Sequence, residues 1–293
     1  MISTPIGNLG DLSPRALEAL RGVDEVWCED TRHTRQLLSA FGIAEKTLRR
    51  VDQHTSDSVI NDLLDRVQKG ALWIGLVTDA GTPGLSDPGA RLVQLMGARG
   101  DANLGAAIRL EPIPGPSALS ALVSVGGFFG NSFSFQGFFP RATAAAHELL
   151  DQLRGGAVSP NWIFFESPHR IRETADCLKQ WCGSQGVEPH FVFAKEISKA
   201  HERIYRGKGE SFLKFLQDPD LDTRGEWVFA VILSKDDLKK ELSDEAWEKA
   251  LECLVLAEVS PKIAAQIIAG RFSVAKNLAY KRALDFQKKT FLT

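Results

Sequence analysis

The sequence predicts an α/β fold with a mostly parallel sheet in its first half. Two observations lead to this prediction. Short apolar runs alternate with amphipathic helical patterns, and loops rich in glycine and proline follow the apolar runs. A hydrophobic content of 44% in 293 residues is enough for two sizeable domains and a small third.

The elements of the first half follow from local signals. Ser13 and Pro14 form an N-cap with proline at the first helical position, and apolar residues at helical spacing come next. In chain order we expect a helix from residue 13, a strand at 26–28, a helix ending near 42, a helix at 56–69, a strand at 72–77, a helix at 87–97 and a strand near 107–113.

The pattern changes after residue 113, where we place the first domain boundary. In chain order we expect a helix at 117–125, a strand at 132–139, a helix at 142–154, a strand at 162–165, a helix at 170–183 and strands near 190–195, 202–207 and 226–233. A second boundary near 236 gives domains 1–113, 114–236 and 237–293.

The last domain is divided by charge. Residues 236–258 carry a net charge of −5, and residues 261–293 carry +6. Helices at 261–269 and 274–289 around a turn at 270–273 resemble a basic helix-turn-helix-like module, and a solvated helical hairpin explains the pattern equally well.

Several functional classes are excluded by what the sequence lacks. It has no GxGxxG, GxxxxGK[ST], GxSxG or HExxH motif, and its four scattered cysteines suggest neither a metal site nor disulfides. It has no apolar run of membrane-spanning length and no signal peptide, so we expect a cytoplasmic protein without a membrane partner. The net charge of −2 gives no global basic field.

Three loops, at 4–15, 77–89 and 114–118, combine glycine and proline with polar side chains. The second follows the apolar run 72–77, and ligands bind at the carboxyl ends of parallel strands. We expect the three loops to line one pocket, although each pattern also suits a structural turn. Their hydroxyls, backbone groups and Asp79 suit a ligand with a ribose, an amino-acid end and a positive centre, as in S-adenosylmethionine.

Six motifs occur in order along the chain. They are Thr-Pro-Ile-Gly-Asn at 4–8, Glu-Asp-Thr-Arg-His-Thr at 29–34, Asp-Ala-Gly-Thr-Pro at 79–83 with Asp-Pro-Gly at 87–89, Pro-Gly-Pro-Ser-Ala at 114–118, Gly-Phe-Phe-Pro-Arg at 137–141 and Phe-Glu-Ser-Pro-His-Arg at 165–170. Together they resemble the ribosomal RNA small-subunit methyltransferase I family of the tetrapyrrole-methylase superfamily.

The resemblance implies two α/β domains of the tetrapyrrole-methylase type with the cofactor cleft between them, followed by the small helical module. It implies methyl transfer from S-adenosylmethionine to the ribose 2′-oxygen of a decoding-centre cytidine in 16S rRNA. The expected partners are small-subunit rRNA or the assembled small ribosomal subunit. The resemblance to the superfamily also implies a homodimer. The alternatives are a small-molecule, tetrapyrrole-type methylase on the same fold and a non-catalytic RNA-binding assembly factor.

The resemblance also assigns residues to the cofactor. These are Pro5, Ile6, Gly7, Asp79, Gly81, Thr82, Leu85, Ser117, Ala118 and Phe165. For the RNA we select arginines that can hold phosphates and rings that can stack on a base. These are Arg32, His33, Arg35, Arg141, His169 and Arg170; Arg32 and Arg35 can instead pair with Glu29 or Asp30 on a solvated surface.

The group that removes the proton of the 2′-hydroxyl is left open by the sequence. The candidates are Asp30, Glu29, Glu196 and Lys195, and a lysine serves only if burial lowers its pKa. Orientation of the hydroxyl without a base is a further alternative.

Two stretches depart from the family pattern. Only Met1, Ile2 and Ser3 precede the first loop, where the family has a complete strand. The first strand is therefore short or absent, or the start codon lies upstream; we favour the upstream start, because a missing central strand leaves backbone groups unpaired. The segment 99–105 is longer than usual and is expected to be a surface loop.

Overall fold

A computed structural model describes residues 1–43, 45–70, 72–98, 108–156, 159–234, 237, 244–257, 259–272 and 274–290. The chain forms two compact units, residues 1–234 and 235–293. The first unit contains a three-stranded and a five-stranded sheet. The predicted boundary at 113 lies between the residues of these sheets, and both domain boundaries stay predictions.

The first half of this unit alternates helices and strands as predicted. Its elements are α1 Pro14–Gly22, β1 Glu25–Cys28, α2 Thr31–Ala40, β2 Thr47–Arg50, α3 Asp57–Gly70, β3 Ile74–Leu76 and α4 Gly89–Ala98. Ser13 caps α1, since its hydroxyl accepts a hydrogen bond from the Ala16 N–H at 3.1 Å. Strand β2 was not predicted, because its residues 47–50 are polar and partly exposed.

The first sheet is parallel and has the order β2-β1-β3. Met1 to Ser3 lie beside β3: the Ile2 N–H donates to the Leu76 carbonyl at 2.8 Å, and the Ser3 N–H donates to the Ile113 carbonyl at 3.1 Å. The start of the chain thus occupies a short strand position. The strand predicted near 107–113 is wrong over residues 108–113, where Ile113 makes an isolated bridge to Ile2.

Both faces of the first sheet are covered by apolar side chains. One face packs Leu20 of α1 and Leu38 of α2 against Val26, and the other packs Ile60 and Leu64 of α3 against Trp27. This two-sided burial confirms the α/β class, and it leaves the loops at the ends of the strands as the accessible part of the sheet.

The second half of the first unit has a different sheet. Its elements are α5 Ala118–Gly126, β4 Ser134–Phe138, α6 Thr143–Gly156, β5 Asn161–Glu166, α7 Ile171–Gln185, β6 His190–Lys195, β7 Arg203–Lys208, α8 Gly209–Leu216 and β8 Trp227–Ile232. All but α8 were predicted. The strand order is β4-β5-β8-β6-β7; only the β4–β5 pair is parallel, and the other pairs are antiparallel.

Aromatic packing holds the second half together. Phe193 and Phe229 stack with ring centroids 4.5 Å apart, and Trp162 meets Trp181 of α7 edge to face. All six residues of β8 are buried. Because antiparallel neighbours fix both edges of β8, the residues at its start are held in place for the site described below.

The second unit contains α9 Asp244–Leu256, α10 Pro261–Phe272 and α11 Lys276–Thr290. Trp247 and Leu251 of α9 pack against Ile268 and Ala283 of the other two helices. Helix α9 was not predicted, and α10 continues through Gly270, so the predicted turn begins too early. The helix-turn-helix-like role stays a prediction. Among the described residues, no helix has the length and apolarity needed to cross a bilayer. The loop predicted at 99–105 lies outside the described residues.

Candidate active site

A cavity of about 470 Å³ lies where the loops after β1 and β3 meet the ends of the strands of the second sheet. This volume is in the range of small-molecule binding sites. The first sheet and its loops contribute Ile6, Glu29, Thr78, Asp79, Ala80, Gly81, Thr82, Leu85, Ser86 and Asp87. The rest of the lining consists of Ser117, Ala118, Phe138, Phe165, Glu166, Ser167, Pro168, Ala194, Ile197, Glu226, Trp227 and Val228.

The three predicted loops meet beside this cavity. Thr4 and Gly81 exchange backbone hydrogen bonds of 2.9 and 3.1 Å. The Thr82 hydroxyl donates to the Pro116 carbonyl at 3.0 Å and accepts from the Ser3 hydroxyl at 3.1 Å. The loops are therefore tied to one another by short-range polar contacts, as their shared position at one sheet edge requires.

Asp87 shapes the glycine-rich loop from within. Its carboxylate accepts hydrogen bonds from the backbone N–H groups of Gly84 at 2.7 Å, Leu85 at 3.0 Å and Gly89 at 2.6 Å. One side chain thus satisfies three backbone donors that the tight turn leaves without a helical or strand partner. The position of Leu85 in the cavity wall depends on this arrangement.

The residues predicted for the cofactor divide into two groups. Eight of them line the cavity: Ile6, Asp79, Gly81, Thr82, Leu85, Ser117, Ala118 and Phe165. Pro5 and Gly7 do not, and they line an adjacent groove of about 410 Å³. The groove and the cavity share Ile6, Thr78, Asp79, Ala80 and Glu226. The two spaces therefore adjoin.

Glu29 and Asp79 join the ends of β1 and β3. The Asp30 N–H donates to Asp79 Oδ1 at 3.1 Å, and the Asp79 N–H donates to Glu29 Oε1 over a longer 3.4 Å. Burial raises the pKa of Glu29 above the ordinary 4.5, and the negative charges of Asp79 and Asp87 raise it further. Glu29 is therefore a stronger base than a free carboxylate, and it lies in the cavity wall.

The other three candidate bases have structural partners and are not among the residues that line the cavity. Asp30 caps α2 and pairs with Arg32 at 2.9 Å, which lowers the pKa of Asp30. The ammonium of Lys195, which is buried, pairs with Asp222 at 2.8 Å. Glu196 accepts from Lys199 at 2.8 Å and from the Glu226 N–H at 2.8 Å.

The residues predicted for the substrate lie in three places. His33 lines the groove, with its Nδ1 3.9 Å from Asp79 Oδ1, while Arg32 and Arg35 are exposed on the same helix. Arg141 and His169 are exposed beyond β4 and β5. Arg170 is held inside: its guanidinium pairs with Glu166 at 3.1 Å and donates to two backbone carbonyls, so it positions backbone and is not free to bind a phosphate.

Comparisons with known proteins identify the family of this chain. A model of the tetrapyrrole (corrin/porphyrin) methylases matches residues 1–212. Proteins called Ribosomal RNA small subunit methyltransferase I match almost the whole chain. The one from Vibrio cholerae is 36% identical over 97% of this chain and 93% of its own length, and the one from Escherichia coli O157:H7 is 34% identical over 98% and 94%. This chain belongs to the ribosomal RNA small subunit methyltransferase I family.

Solved structures confirm the tetrapyrrole-methylase fold. Diphthine synthase superimposes with a TM-score of 0.54 at 16% identity, over 81% of this chain and 92% of its own. The methyltransferase CobJ superimposes with a TM-score of 0.52 at 18% identity, over 78% and 91%. At these identities the likeness concerns the fold alone.

Family membership makes the chain an S-adenosylmethionine-dependent methyltransferase. The cavity fits this cofactor. The carboxylates of Glu29, Asp79 and Asp87 suit a positive sulfonium, and the side chains of Phe165 and Leu85 supply apolar surface for an adenine. No cluster of metal-binding side chains occurs among the described residues.

Several lining residues were missed by reasoning from the sequence. Ala194, Trp227 and Val228 are at most 3% exposed and belong to β6 and β8. Their apolar strand pattern indicates core positions, so the sequence does not mark them as lining a site. The sequence assigns no role to Glu166, although this residue lies within the motif at 165–170. Its carboxylate accepts from Thr174, from the Ser167 N–H and from Arg170, and burial raises its pKa. Only the pairing of β8 between β5 and β6 reveals this wall.

Proposed function

We propose that this methyltransferase modifies the ribose 2′-oxygen of a cytidine in the decoding centre of small-subunit rRNA. The observation that carries the proposal is that the cofactor cavity and the adjacent groove adjoin, with Asp79 lining both and His33 lining the groove. RNA held along the groove would therefore bring an unstacked nucleotide to the rim of the cavity, next to the methyl donor.

The part of the chain that aligns with the relatives supports an RNA substrate. The tetrapyrrole-methylase model ends at residue 212, whereas the relatives named for small-subunit rRNA align with 97% and 98% of the chain. Their match includes the second unit, whose residues 261–293 carry a net charge of +6. Positive charge outside the matched methylase region suits an extended phosphate backbone.

When bound, S-adenosylmethionine supplies a methyl group that is already activated on a sulfonium. The protein then has to hold the acceptor oxygen about 3 Å from that methyl group and in line with it. Gly81, Thr82 and Ala118 would hold the cofactor from the loop side, and the buried Trp227 and Val228 would close the opposite wall against water.

Glu29 is the residue we assign to the proton of the 2′-hydroxyl. It lies in the cavity wall with a raised pKa, and it receives one long hydrogen bond from the Asp79 N–H. Asp30, Lys195 and Glu196 each have an ion-pair partner at 2.8–2.9 Å. A weakly held carboxylate with a raised pKa is better suited to accept a proton.

The exposed arginines of α2 and of the loop after β4 would contact the RNA backbone. Arg32, Arg35 and Arg141 are exposed, although Arg32 has to exchange its pairing with Asp30 for a phosphate. Phosphate contacts of this kind make binding steeply dependent on salt. An enzyme that acts on small-subunit rRNA, whether naked or in the assembled subunit, is expected in the cytoplasm. The homodimer stays a prediction, to be checked by sedimentation.

The deciding experiment is mass spectrometry of nucleosides from small-subunit rRNA in cells with and without the gene. We expect one 2′-O-methylated cytidine to disappear on deletion and to return with the gene, but not with its Glu29→Gln variant. Purified enzyme should then methylate small subunits from the deletion strain. An unchanged profile would contradict the proposal: cofactor binding without rRNA methylation would indicate a small-molecule methylase, and no cofactor binding an assembly factor.

A further inference from the structure

One aromatic side chain in the cavity wall is left largely in contact with solvent. Phe138, the last residue of β4, is 62% exposed and lines the cavity. Ala194, Trp227 and Val228 line the same cavity but are at most 3% exposed. Phe138 therefore lies at the rim of the site, and these three residues form its floor.

An irregularity of β4 determines which face of the sheet carries Phe138. Phe135 pairs with Ile163 and Phe138 pairs with Phe165, so three steps along β4 match two steps along β5. Gly137 provides the extra residue with a φ of +72°, a conformation that favours glycine. Without this bulge, strict alternation would place Phe135 and Phe138 on opposite faces of the sheet.

The bulge produces a row of three rings on one face. The Phe165 ring lies 4.9 Å from the Phe135 ring and 5.7 Å from the Phe138 ring, and both contacts are edge to face at 65°. Phe135 is partly buried and packs against the core of the second sheet, whereas Phe138 reaches the rim. The row thus fixes the exposed ring through a partner that is itself anchored in the core.

The backbone that follows Phe138 is also held firmly. The Phe139 N–H donates to the Phe165 carbonyl at 3.0 Å. The Arg170 guanidinium donates to the carbonyls of Phe139 at 3.1 Å and Pro140 at 2.9 Å, and it pairs with Glu166, which is buried. An exposed ring on a backbone with this many contacts is positioned in advance, which lowers the cost of ordering it around a ligand.

We propose that Phe138 stacks on the base of the target nucleotide when that nucleotide leaves its helix to reach the methyl donor. The inference rests on the proposed function, since it needs a nucleotide as the substrate. A ribose inside folded RNA becomes accessible when its nucleotide is unstacked, and proteins compensate the lost stacking with aromatic side chains. Phe138 offers such a ring at the rim, and the exposed Arg141 follows three residues later to meet the backbone.

The test compares four variants in methyl transfer to small subunits from cells that lack the gene. Phe138→Ala removes the ring, Phe138→Leu keeps apolar bulk without a ring, and Phe138→Tyr keeps the ring. The control is Phe133→Ala, because Phe133 is 45% exposed next to the same strand but is not among the residues that line the cavity. Calorimetry gives the Kd for S-adenosylmethionine in each case, and circular dichroism confirms folding.

We expect Phe138→Ala to raise the KM for the subunit about 10- to 100-fold, the range typical of losing one stacked base, with the cofactor Kd unchanged. Phe138→Tyr should stay close to the wild type, Phe138→Leu should fall between them, and Phe133→Ala should have no effect. An active wild type with an unchanged KM in Phe138→Ala would overturn the stacking role alone. A raised cofactor Kd would overturn it too, by assigning the ring to S-adenosylmethionine. A wild type that methylates no subunit would overturn the proposed function itself.

Discussion

The two halves of the first unit build their sides of the cavity in different ways. The first half uses loops, in which backbone groups and small residues such as Gly81 and Thr82 form the wall. The second half uses strand ends, in which side chains such as Phe165 and Trp227 form it. In the loops, a few side chains hold the wall in shape. In the strands, the sheet itself does so, through the antiparallel pairing of β8 with β5 and β6.

This difference determines how substitutions should act. Removing a side chain that holds a loop displaces several backbone groups together, so its effect should exceed the loss of its own contacts. Removing a side chain from a strand end leaves the backbone in place, so its effect should match the surface that is lost. The variants below test this contrast, from the largest expected effect to the smallest.

Glu29→Gln in the first half should have the largest effect. The amide keeps the size of the side chain but accepts no proton, so kcat should fall about 100- to 1000-fold with little change in cofactor affinity. Because the pKa of Glu29 is raised, the wild-type rate should rise with pH through a value above the ordinary 4.5. The variant should lose that limb of the single-turnover pH profile.

The matched control for this prediction lies in the second half. Glu226 also lines the cavity, but its carboxylate pairs with Lys199 at 2.9 Å. Glu226→Gln should lower kcat less than 10-fold, since the Glu226 carboxylate is engaged by the Lys199 ammonium and does not face the acceptor alone. Equal losses in the two variants would contradict the assignment of Glu29.

Asp87→Ala should weaken cofactor binding about 30-fold. Its carboxylate holds three backbone N–H groups of the glycine-rich loop, and each lost hydrogen bond contributes roughly 0.5–1.5 kcal/mol. Trp227→Phe in the opposite wall should change the Kd less than about 3-fold, because the backbone of β8 is fixed by its neighbours. Calorimetry measures both, and a larger effect at Trp227 would reverse the comparison.

Substitutions at Gly7 and Lys199 test a contact between the two halves of the first unit. The stem of Lys199 passes directly over Gly7, while its ammonium pairs with Glu196 and Glu226. A side chain at position 7 would overlap that stem, so Gly7→Ala should lower kcat/KM about 10-fold, less than the roughly 100-fold that a full 1 Å displacement can cost. The double variant Gly7→Ala with Lys199→Ala should recover most of the activity. A double variant that is no better than Gly7→Ala would show that the overlap is not the cause.

Glu25→Gln should leave activity unchanged and lower stability. Glu25 is 8% exposed and accepts from Arg49 at 2.6 Å and Arg66 at 2.9 Å, which holds its pKa at about 2. Charged hydrogen bonds of this kind contribute about 1.5–3 kcal/mol. Because the pKa is depressed on folding, this contribution is complete above pH 4.5 and is lost as the pH falls towards 2.

Urea unfolding of the wild type and of the Glu25→Gln variant at several pH values measures that loss of stability. The difference in unfolding free energy should shrink steadily between pH 5 and pH 2. Glu166→Gln is the second-half counterpart; since Glu166 lines the cavity and holds Arg170, it should reduce activity as well as stability. A constant difference across this pH range would rule out the Glu25 ion pairs as its source.

Local signals in the sequence were enough for most of the fold. Ser13, Pro14 and the glycine-rich loop at 77–89 mark helix starts and strand ends through backbone chemistry that acts within a few residues. Strand β2 and helix α8 were missed because the first is polar and partly exposed and the second follows a strand directly at Gly209. The strand expected near 107–113 depended on apolar content alone, which does not ensure a pairing partner.

The sequence by itself determined the family, the α/β class and the three loops beside the cavity, because motifs, periodicity and turn chemistry are local properties. Only the tertiary structure decided which carboxylate faces the cavity, that Arg170 is held inside, and that Phe138 lies at the rim. Burial, the hydrogen bonds from Arg170 to the carbonyls of Phe139 and Pro140, and the register of β4 on β5 depend on residues distant in the chain. The sequence does not reveal which side chains lie together in one low-dielectric site. Burial in such a site and the charges of the neighbouring groups set the pKa values of these side chains.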